Sequence, residues 1–291
     1  MATIMTPIRI SVLMTAYNRE RYIAEAIESV LVQDYPHFEL IIVDDGSKDN
    51  TVEIAQGYSG RDTRVRLFRN ESNLGDYPNR NKAASYATGD LLMYVDSDDS
   101  ILPDALSYII SQFQLNPHAG YATIYKGQIF QPPLVLSSEE AVRTHLFRES
   151  FLHIGPGGTV IRRNLFQKLG GFPEKYGPAN DMHYNIYTAC HTPVLLLAYN
   201  YLNYREHEGQ EKNNSFGYLY NTYLYFSDLM QLPELPLTDE ERSYHIRKCK
   251  RRYLVNSLKF LRKSKSLPKM LESGRLAGFG FRDILTAIFQ R

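Results

Sequence analysis

Short apolar runs alternate with stretches of helical periodicity through the first two thirds of the chain. Residues 8–14 read as an apolar strand, and Thr15-Ala16-Tyr17-Asn18 as the turn at its carboxyl end. Across residues 21–33 the apolar positions Ile23, Ala26, Ile27, Val30 and Leu31 fall on one helical stripe. A second strand over 39–43 runs into Asp44-Asp45-Gly46-Ser47, and a short helix follows over 51–58. A third strand over 65–69 precedes Asn73-Leu74-Gly75 and a helix over 78–87. Leu91 to Val95 supplies a fourth strand. This alternation predicts an α/β fold, a mostly parallel sheet flanked by helices. Right-handed crossovers then bring the strand carboxyl ends to one edge.

That edge carries Thr15, Asp44, Asp45, Asn73 and Asp96, and open α/β sheets bind their ligands there. An ionised Asp45 is acceptor-only and suits a base or ribose. For Asp44, Asp45 and Ser47 the alternative is a turn that caps the next helix. Arg80 either faces the rim, toward a phosphate or base, or is a solvated surface arginine. The run Asp96-Ser97-Asp98-Asp99 places three carboxylates within four residues. Their repulsion and desolvation are costly unless a cation sits among them. Mg²⁺ or Mn²⁺ takes such oxygen ligands together with substrate phosphates. Capping of the helix that starts near Pro103 is the other reading of Asp98 and Asp99.

The second half continues with a helix over 103–115, a strand over 121–130 and a loop over 131–136 marked by Pro132-Pro133. Ser137 and Glu140 have the spacing of a capping box for the next helix. Gly155-Pro156-Gly157-Gly158 either lets the backbone approach a ligand closely or is a plain tight turn. A strand over 160–163, a short helix closing at Gly170-Gly171, a helix within 178–187 and an apolar strand over 194–198 follow. Residues 209–215 are polar and suit a lid. Residues 216–232 read as a long aromatic helix that packs on the rest of the chain or on a partner. Between 242 and 275 lysines and arginines greatly outnumber the single acid, Glu272, and 276–289 is apolar and aromatic with arginines interspersed. A basic helix beside an amphipathic end suits an anionic membrane surface. The alternatives are a solvated basic face and an aromatic helix in the core or a homodimer interface.

Composition narrows the classes. With 291 residues the chain can bury one large domain with an appendage, or two domains. A net charge of +1 argues against nucleic acid as a partner. The two cysteines, Cys190 and Cys249, supply neither a disulfide framework nor a zinc pattern, which suits a reducing, cytoplasmic compartment. Residues 1–9 are too polar and short for a signal peptide, and no apolar run approaches the ~20 residues of a membrane span. Any membrane contact is then peripheral.

Residues 11–18 (SVLMTAYN), 39–51 (ELIIVDDGSKDNT), 73–99 (NLGDYPNRNKAASYATGDLLMYVDSDD) and 170–171 (GG) together resemble the family 2 glycosyltransferases, in order and in spacing. The resemblance spans about residues 8–205 and implies the GT-A (Rossmann-like) fold, here with a helical C-terminal extension. It implies a catalytic domain over 1–210 and the extension over 211–291. It also implies that Thr15, Ala16, Tyr17 and Asp45 hold the nucleoside, that Asp96 touches the ribose and that Asp98 ligates the metal bridging a diphosphate. The family's Tyr-Arg-x-His-like segment falls on Tyr204, Arg205 and His207, which gives Arg205 to the diphosphate and His207 to the metal shell. Where the family has a Glu-Asp or Asp pair, this chain has Asn180-Asp181. Inverting transfer needs a base for the acceptor hydroxyl, and Asp181 is the single acid between Glu174 and Glu206.

The expected activity is inverting, metal-dependent transfer of a sugar from a nucleotide-diphosphate donor, UDP being the commonest in the family. The acceptor hydroxyl belongs to a cell-surface polysaccharide, a lipid-linked glycan or a protein glycan. The Gln-x-x-Arg-Trp motif of processive synthases is absent, since the chain has no tryptophan. Two rivals are a nucleotidyltransferase, which normally shows a Gly-rich basic loop after the first strand, and a non-catalytic sugar-nucleotide scaffold, which the Asn180 departure keeps open.

Overall fold

The computed structural model describes residues 7–207 and 214–279. Residues 209–213 of the expected lid and 280–289 of the expected amphipathic end lie outside the described residues. The first half runs β1 (Ile10–Ala16), α1 (Ile23–Leu31), β2 (Phe38–Asp44), α2 (Thr51–Ser59), β3 (Val65–Arg69), α3 (Asp76–Ser85), β4 (Leu91–Tyr94) and the short β5 (Ser100–Ile101). It continues with α4 (Ala105–Leu115), β6 (Tyr121–Ile124), β7 (Leu134–Leu136), α5 (Ser138–Phe147), β8 (Thr159–Arg162) and α6 (Arg163–Lys168). The remainder is α7 (Asn180–Ala189), β9 (Val194–Leu197), β10 (Leu202–Asn203), α8 (Ser215–Leu229), α9 (Asp239–Ser264) and α10 (Leu267–Leu276).

Eight strands form one sheet in the order β3-β2-β1-β4-β8-β6-β9-β7, and β10 pairs with β5 apart from it. The β3-β2-β1-β4 half is parallel, whereas β8 is antiparallel to both β4 and β6. Period-two alternation splits the core into two layers. Leu13, Ile41 and Val43 face one way with buried residues of α3, α5, α6, α7 and α8. Val12, Met14, Leu40 and Ile42 face the other with buried residues of α1, α2 and α4. Among the described residues no helix is long and apolar enough to cross a membrane.

The structure shortens the expected 121–130 strand to β6, and the chain leaves the sheet at Tyr125. The 131–136 segment, expected as a loop, ends in β7, which pairs antiparallel with β9 at the sheet edge. A proline just before an edge strand removes no ladder hydrogen bond, so the Pro132-Pro133 signal misleads here. The Ser137–Glu140 capping box forms, with Glu140 N donating to Ser137 Oγ at 3.2 Å and Ser137 N to Glu140 Oε2 at 2.9 Å.

Glu39, in the middle of this apolar sheet, is 1% exposed. Its Oε1 accepts from Ser11 Oγ, Thr88 N and Thr88 Oγ1, each at 2.7 Å, and Arg66 Nη1 lies 2.9 Å from Oε2. These bonds tie β1, β2, β3 and the turn into β4 at the end opposite the functional rim. Burial by itself would raise this carboxyl, but the Thr88, Ser11 and Arg66 hydrogen bonds outweigh it and hold it at about 2. A depressed folded-state value contributes stability above the ordinary carboxylate range that is lost as pH falls toward 2. Glu39→Gln is therefore expected to destabilise the fold by about 1–3 kcal/mol at pH 7. In thermal melts the gap to wild type should narrow between pH 5 and pH 3, and a gap independent of pH would contradict the assignment.

Candidate functional site

The carboxyl ends of β1, β2 and β4 open into a cavity of about 590 Å³. Every sequence-predicted site residue except Arg205 and His207 lines it: Thr15, Ala16, Tyr17, Asp45, Arg80, Asp96, Asp98 and Asp181. Tyr17 is 43% exposed at its mouth. The turn after β1 is laced to the turn after β2, since Asn18 N donates to Ser47 Oγ at 2.9 Å and Lys48 N to Asn18 Oδ1 at 2.9 Å. Ser97 Oγ donates to Thr15 O at 2.8 Å and joins the β4 end to the same wall.

Asp44 and Asp45 divide two tasks. Asp44 Oδ2 accepts from Gly46 N and Ser47 N, both at 3.0 Å, so it makes the turn itself. Gly46 sits at φ +80°, a left-handed conformation that a side chain would strain. Asp45 accepts from Asn70 Nδ2 and Leu74 N at 2.8 Å and from Gly75 N at 3.0 Å, again beside a left-handed glycine, Gly75 at φ +92°. A carboxylate has about four acceptor positions, so three donors leave roughly one facing the cavity. Asp45 thus fixes the Asn73–Gly75 loop and keeps limited capacity for a ligand.

Arg80 is not a surface arginine. Its side chain is 8% exposed, with Nε 2.8 Å from Asp76 Oδ1 and Nη1 2.7 Å from Asp96 Oδ1. The Asp96 contact is a close ion pair whose N–H directions are poorly aligned on the oxygen. The guanidinium lies over Tyr94, 5.5 Å from the ring centre. Burial pushes the Asp96 carboxyl up, and Arg80 pulls it back. Asp76 and its partner stand at i and i+4 of one helix, a spacing the sequence offers. Asp76 and Tyr77 also line the cavity, and the sequence does not single them out, because nothing in the linear pattern says that this helix face turns inward.

Asp98 Oδ2 lies 2.9 Å from Arg19 Nε and 2.9 Å from His207 Nε2. Asp99 serves a different purpose: its Oδ1 accepts from Arg205 N at 2.9 Å, and burial pushes its carboxyl up to about 7. Arg205 Nε donates to Asp98 O at 3.0 Å, its Nη2 reaches Glu25, and its guanidinium sits over Tyr22. Tyr22 in turn stacks on His207 with ring centres 5.0 Å apart. The β5–β10 pairing, with Asn203 opposite Ser100, is what lays residues 204–207 against 98–99. Arg205 and His207 therefore brace the Asp98 side of the cleft, while Tyr204 lines the cavity.

Asp181 opens α7 and lines the cavity next to Pro178. Met182 N donates to its Oδ1 at 2.7 Å, and the neighbouring Tyr77 favours its ionised form. Burial dominates these and the pull of Arg80, and the carboxyl is pushed up to about 7. Asn180 is explained by the turn before it. Its Oδ1 accepts from Tyr176 N at 2.9 Å while its Nδ2 donates to Gly177 O at 2.8 Å. An aspartate lacks that second donor. Gly155 and Pro156, from the glycine-rich stretch, also line the cavity. So does Tyr218 of α8, which the sequence predicts only as part of a packing helix.

Among the described residues no group of three or more histidine, cysteine or acidic side chains stands in a metal-holding arrangement. Asp98 and His207 supply a carboxylate and an imidazole side by side, hydrogen-bonded to each other at 2.9 Å with Arg19 Nε on the same carboxylate oxygen, so a cation there would replace these contacts. A hard divalent cation that keeps the rest of its shell for water or substrate phosphates fits such a pair.

The profile described as "Glycosyl transferase family 2" matches residues 11–170. Among curated relatives, a GalNAc(5)-diNAcBac-PP-undecaprenol beta-1,3-glucosyltransferase of Campylobacter jejuni is 26% identical over 188 residues, 62% of this chain and 60% of the relative. Across the curated relatives the matched segment spans between 34% and 63% of the relative's own length. The crystal structure of S. aureus TarS 1-349 in complex with UDP superposes with a TM-score of 0.70 at 19% identity, covering 97% of this chain and 81% of that one. The mannosyltransferase PcManGT from Pyrobaculum calidifontis, in complex with GDP-Man and Mn²⁺, gives a TM-score of 0.64 at 17% identity, covering 97% and 84%. At these identities the superpositions carry the GT-A fold.

The buried Arg80 is the charge on which this wall depends. Arg80→Met leaves Asp76 and Asp96 facing each other across an apolar side chain, with an expected loss of about 3–5 kcal/mol at pH 8 by denaturant unfolding. The loss should shrink as pH is lowered, because Asp96, already raised by burial, takes up a proton. An unchanged unfolding midpoint at pH 8 would refute this role.

Proposed function

The chain belongs to glycosyl transferase family 2, and on that premise we propose that it transfers a sugar, with inversion, from a nucleotide-diphosphate donor to an acceptor hydroxyl. The supporting observation is one cavity lined both by the strand-end carboxylates Asp45, Asp96 and Asp98 and by Asp181, whose carboxyl is held near 7. Thr15, Ala16, Tyr17 and Asp45 form the nucleoside wall. Asp96, oriented by Arg80, faces the ribose. Asp98 and His207 would hold a Mn²⁺ or Mg²⁺ ion, which when bound supplies Lewis-acid neutralisation of the diphosphate. Arg205 supports that side of the cleft through Asp98 O and Asp99.

Asp181 takes the proton of the acceptor hydroxyl. The acceptor oxygen forms its bond to the anomeric carbon from the face opposite the diphosphate. The bond from that carbon to the diphosphate oxygen breaks, and its electron pair leaves with the nucleotide. One in-line displacement of this kind inverts the anomeric centre. UDP is the favoured donor nucleotide, in keeping with the TarS complex. A lipid-linked glycan is the favoured acceptor, in keeping with the named activity of the Campylobacter relative. Residues 1–210 are assigned to catalysis and 211–291 to an extension that lends Tyr218 to the cavity. The scaffold alternative loses its support, because Asn180 is taken up by the 176–180 turn.

Calorimetric titration of UDP, GDP and dTDP, each with Mn²⁺ and with EDTA, should show metal-dependent binding of one nucleotide. Asp98→Ala should abolish the metal-dependent part, and its survival would remove Asp98 from the metal site. Asp181→Asn should lower turnover about 10²–10⁴-fold while nucleotide binding stays as in wild type. The wild-type rate should rise with pH through about 7, because the base works only when ionised. The same raised value means that Asp181 stabilises the fold below the ordinary carboxylate range and that this contribution is lost as pH rises through about 7. Asp181→Asn should accordingly melt above wild type at pH 8. A variant that keeps turnover would remove Asp181 from catalysis.

A further inference from the structure

A second groove, of about 400 Å³, runs between α8 and α9. Tyr218 lines both this groove and the main cavity, so the two adjoin at that side chain. One wall is apolar and aromatic, with Tyr218, Leu219 and Tyr223 of α8. The other carries Arg252, Lys259 and Lys263, which at i, i+7 and i+11 share one stripe of α9. We propose that this groove holds the diphosphate ester of a lipid-linked acceptor, with the acceptor's sugar end reaching the main cavity past Tyr218. This rests on the transferase reading above and gives its favoured acceptor a binding site.

Three observations favour that occupant. The first is the contrast between these cations and the others nearby. Arg143 is paired with Glu241 at 2.7 Å, Lys175 with Asp228 at 2.7 Å, and Arg242 donates to the carbonyls of Met230, Leu232, Leu235 and Leu237. Among the described residues no carboxylate forms an ion pair with Arg252, Lys259 or Lys263, although they face a groove. Lys259 and Lys263, four residues apart on this stripe, repel one another, and an anion placed between them relieves this. The second is the apolar wall opposite. A free sugar phosphate gives such a wall nothing to cover, whereas the first isoprene units of a lipid carrier do. The third lies on the adjoining stripe of α9, where Val255 is 45% and Leu258 61% exposed, and on α10, where Leu267 is 50% and Leu271 55% exposed. Exposed aliphatic side chains set among lysines and arginines suit the edge of an anionic bilayer, where the rest of the lipid would remain.

Farnesyl diphosphate carries the two features that matter, an anionic diphosphate and an isoprenoid chain. Its binding is measured by calorimetry on the full chain with EDTA present, which silences metal-dependent binding at Asp98. Wild type should bind farnesyl diphosphate, and the combined Arg252→Ala, Lys259→Ala and Lys263→Ala variant should bind it at least about tenfold more weakly, as expected for lost charge-assisted contacts. The charge-preserving variant Arg252→Lys, Lys259→Arg and Lys263→Arg should bind like wild type. Lys263→Glu alone, at the exposed end of α9, should also weaken binding, which keeps the test open if the triple alanine variant does not fold. Equal binding by wild type and the charge-removing variants overturns the proposal. Inorganic pyrophosphate binding as tightly as farnesyl diphosphate overturns the lipid-linked class. Nucleotide binding with Mn²⁺ is followed on the same samples. Its absence from wild type counts against the transferase reading, whereas its retention in the alanine variant confines any defect to the groove.

Discussion

The site depends on how carboxylates are kept at the carboxyl edge of a parallel sheet without driving it apart. Asp44, Asp45, Asp96, Asp98, Asp99 and Asp181 crowd one end of the molecule, and each has a different partner. Asp44 and Asp45 accept from backbone amides, Asp96 pairs with Arg80, Asp98 pairs with Arg19 and hydrogen-bonds His207, and Asp99 accepts from the amide of Arg205. A buried carboxylate with no such partner would take up a proton or lower the stability of the fold. Asp99 and Asp181 come nearest to that condition, each with one backbone amide and a carboxyl raised to about 7, and of the two Asp181 is the one that lines the cavity. An edge of mostly paired charges thus keeps one raised carboxyl, Asp181, open to the cavity, as the proposed base requires.

The other end of the sheet shows the opposite use of a carboxylate. Glu39 sits among Ser11, Thr88 and Arg66 with all its acceptor capacity engaged, and it joins strands rather than waiting for a ligand. Buried acids at the two ends therefore differ in partners, and their pKa shifts differ in sign: about 2 for Glu39 and about 7 for Asp181. Stability is concentrated where no ligand comes, and the strain of desolvated charge is concentrated at the cavity.

The C-terminal helices are part of this arrangement. Asp228 of α8 accepts from Tyr176 Oη and Lys175 Nζ, both at 2.7 Å, which fixes α8 to the segment leading into Asp181. The same docking carries Tyr218 to the cavity wall. Arg143 of α5 bonds Glu241, the third helical residue of the α9 capping box, and fixes this second helix to α5. The cavity and the α8–α9 groove share a wall because these two ties place α8 between them.

The α/β alternation, the parallel half of the sheet, the Ser137–Glu140 cap and the crowding of acids at strand ends were legible in the sequence, because periodicity, capping and strand-end polarity are local properties of the chain. The same holds for Thr15, Ala16, Tyr17, Asp45, Asp96 and Asp98, which reach the cavity through the direction of their own strands. Tertiary structure decided what depends on distant segments meeting. The β6 strand stops at Ile124 and β7 joins the edge because of pairing with β9. Arg80 is buried because α3 turns that face inward. Asn180 is an amide because the 176–180 turn needs a donor. Arg205 and His207 meet Asp98 because β10 pairs with β5, a contact across about a hundred residues that no local pattern encodes.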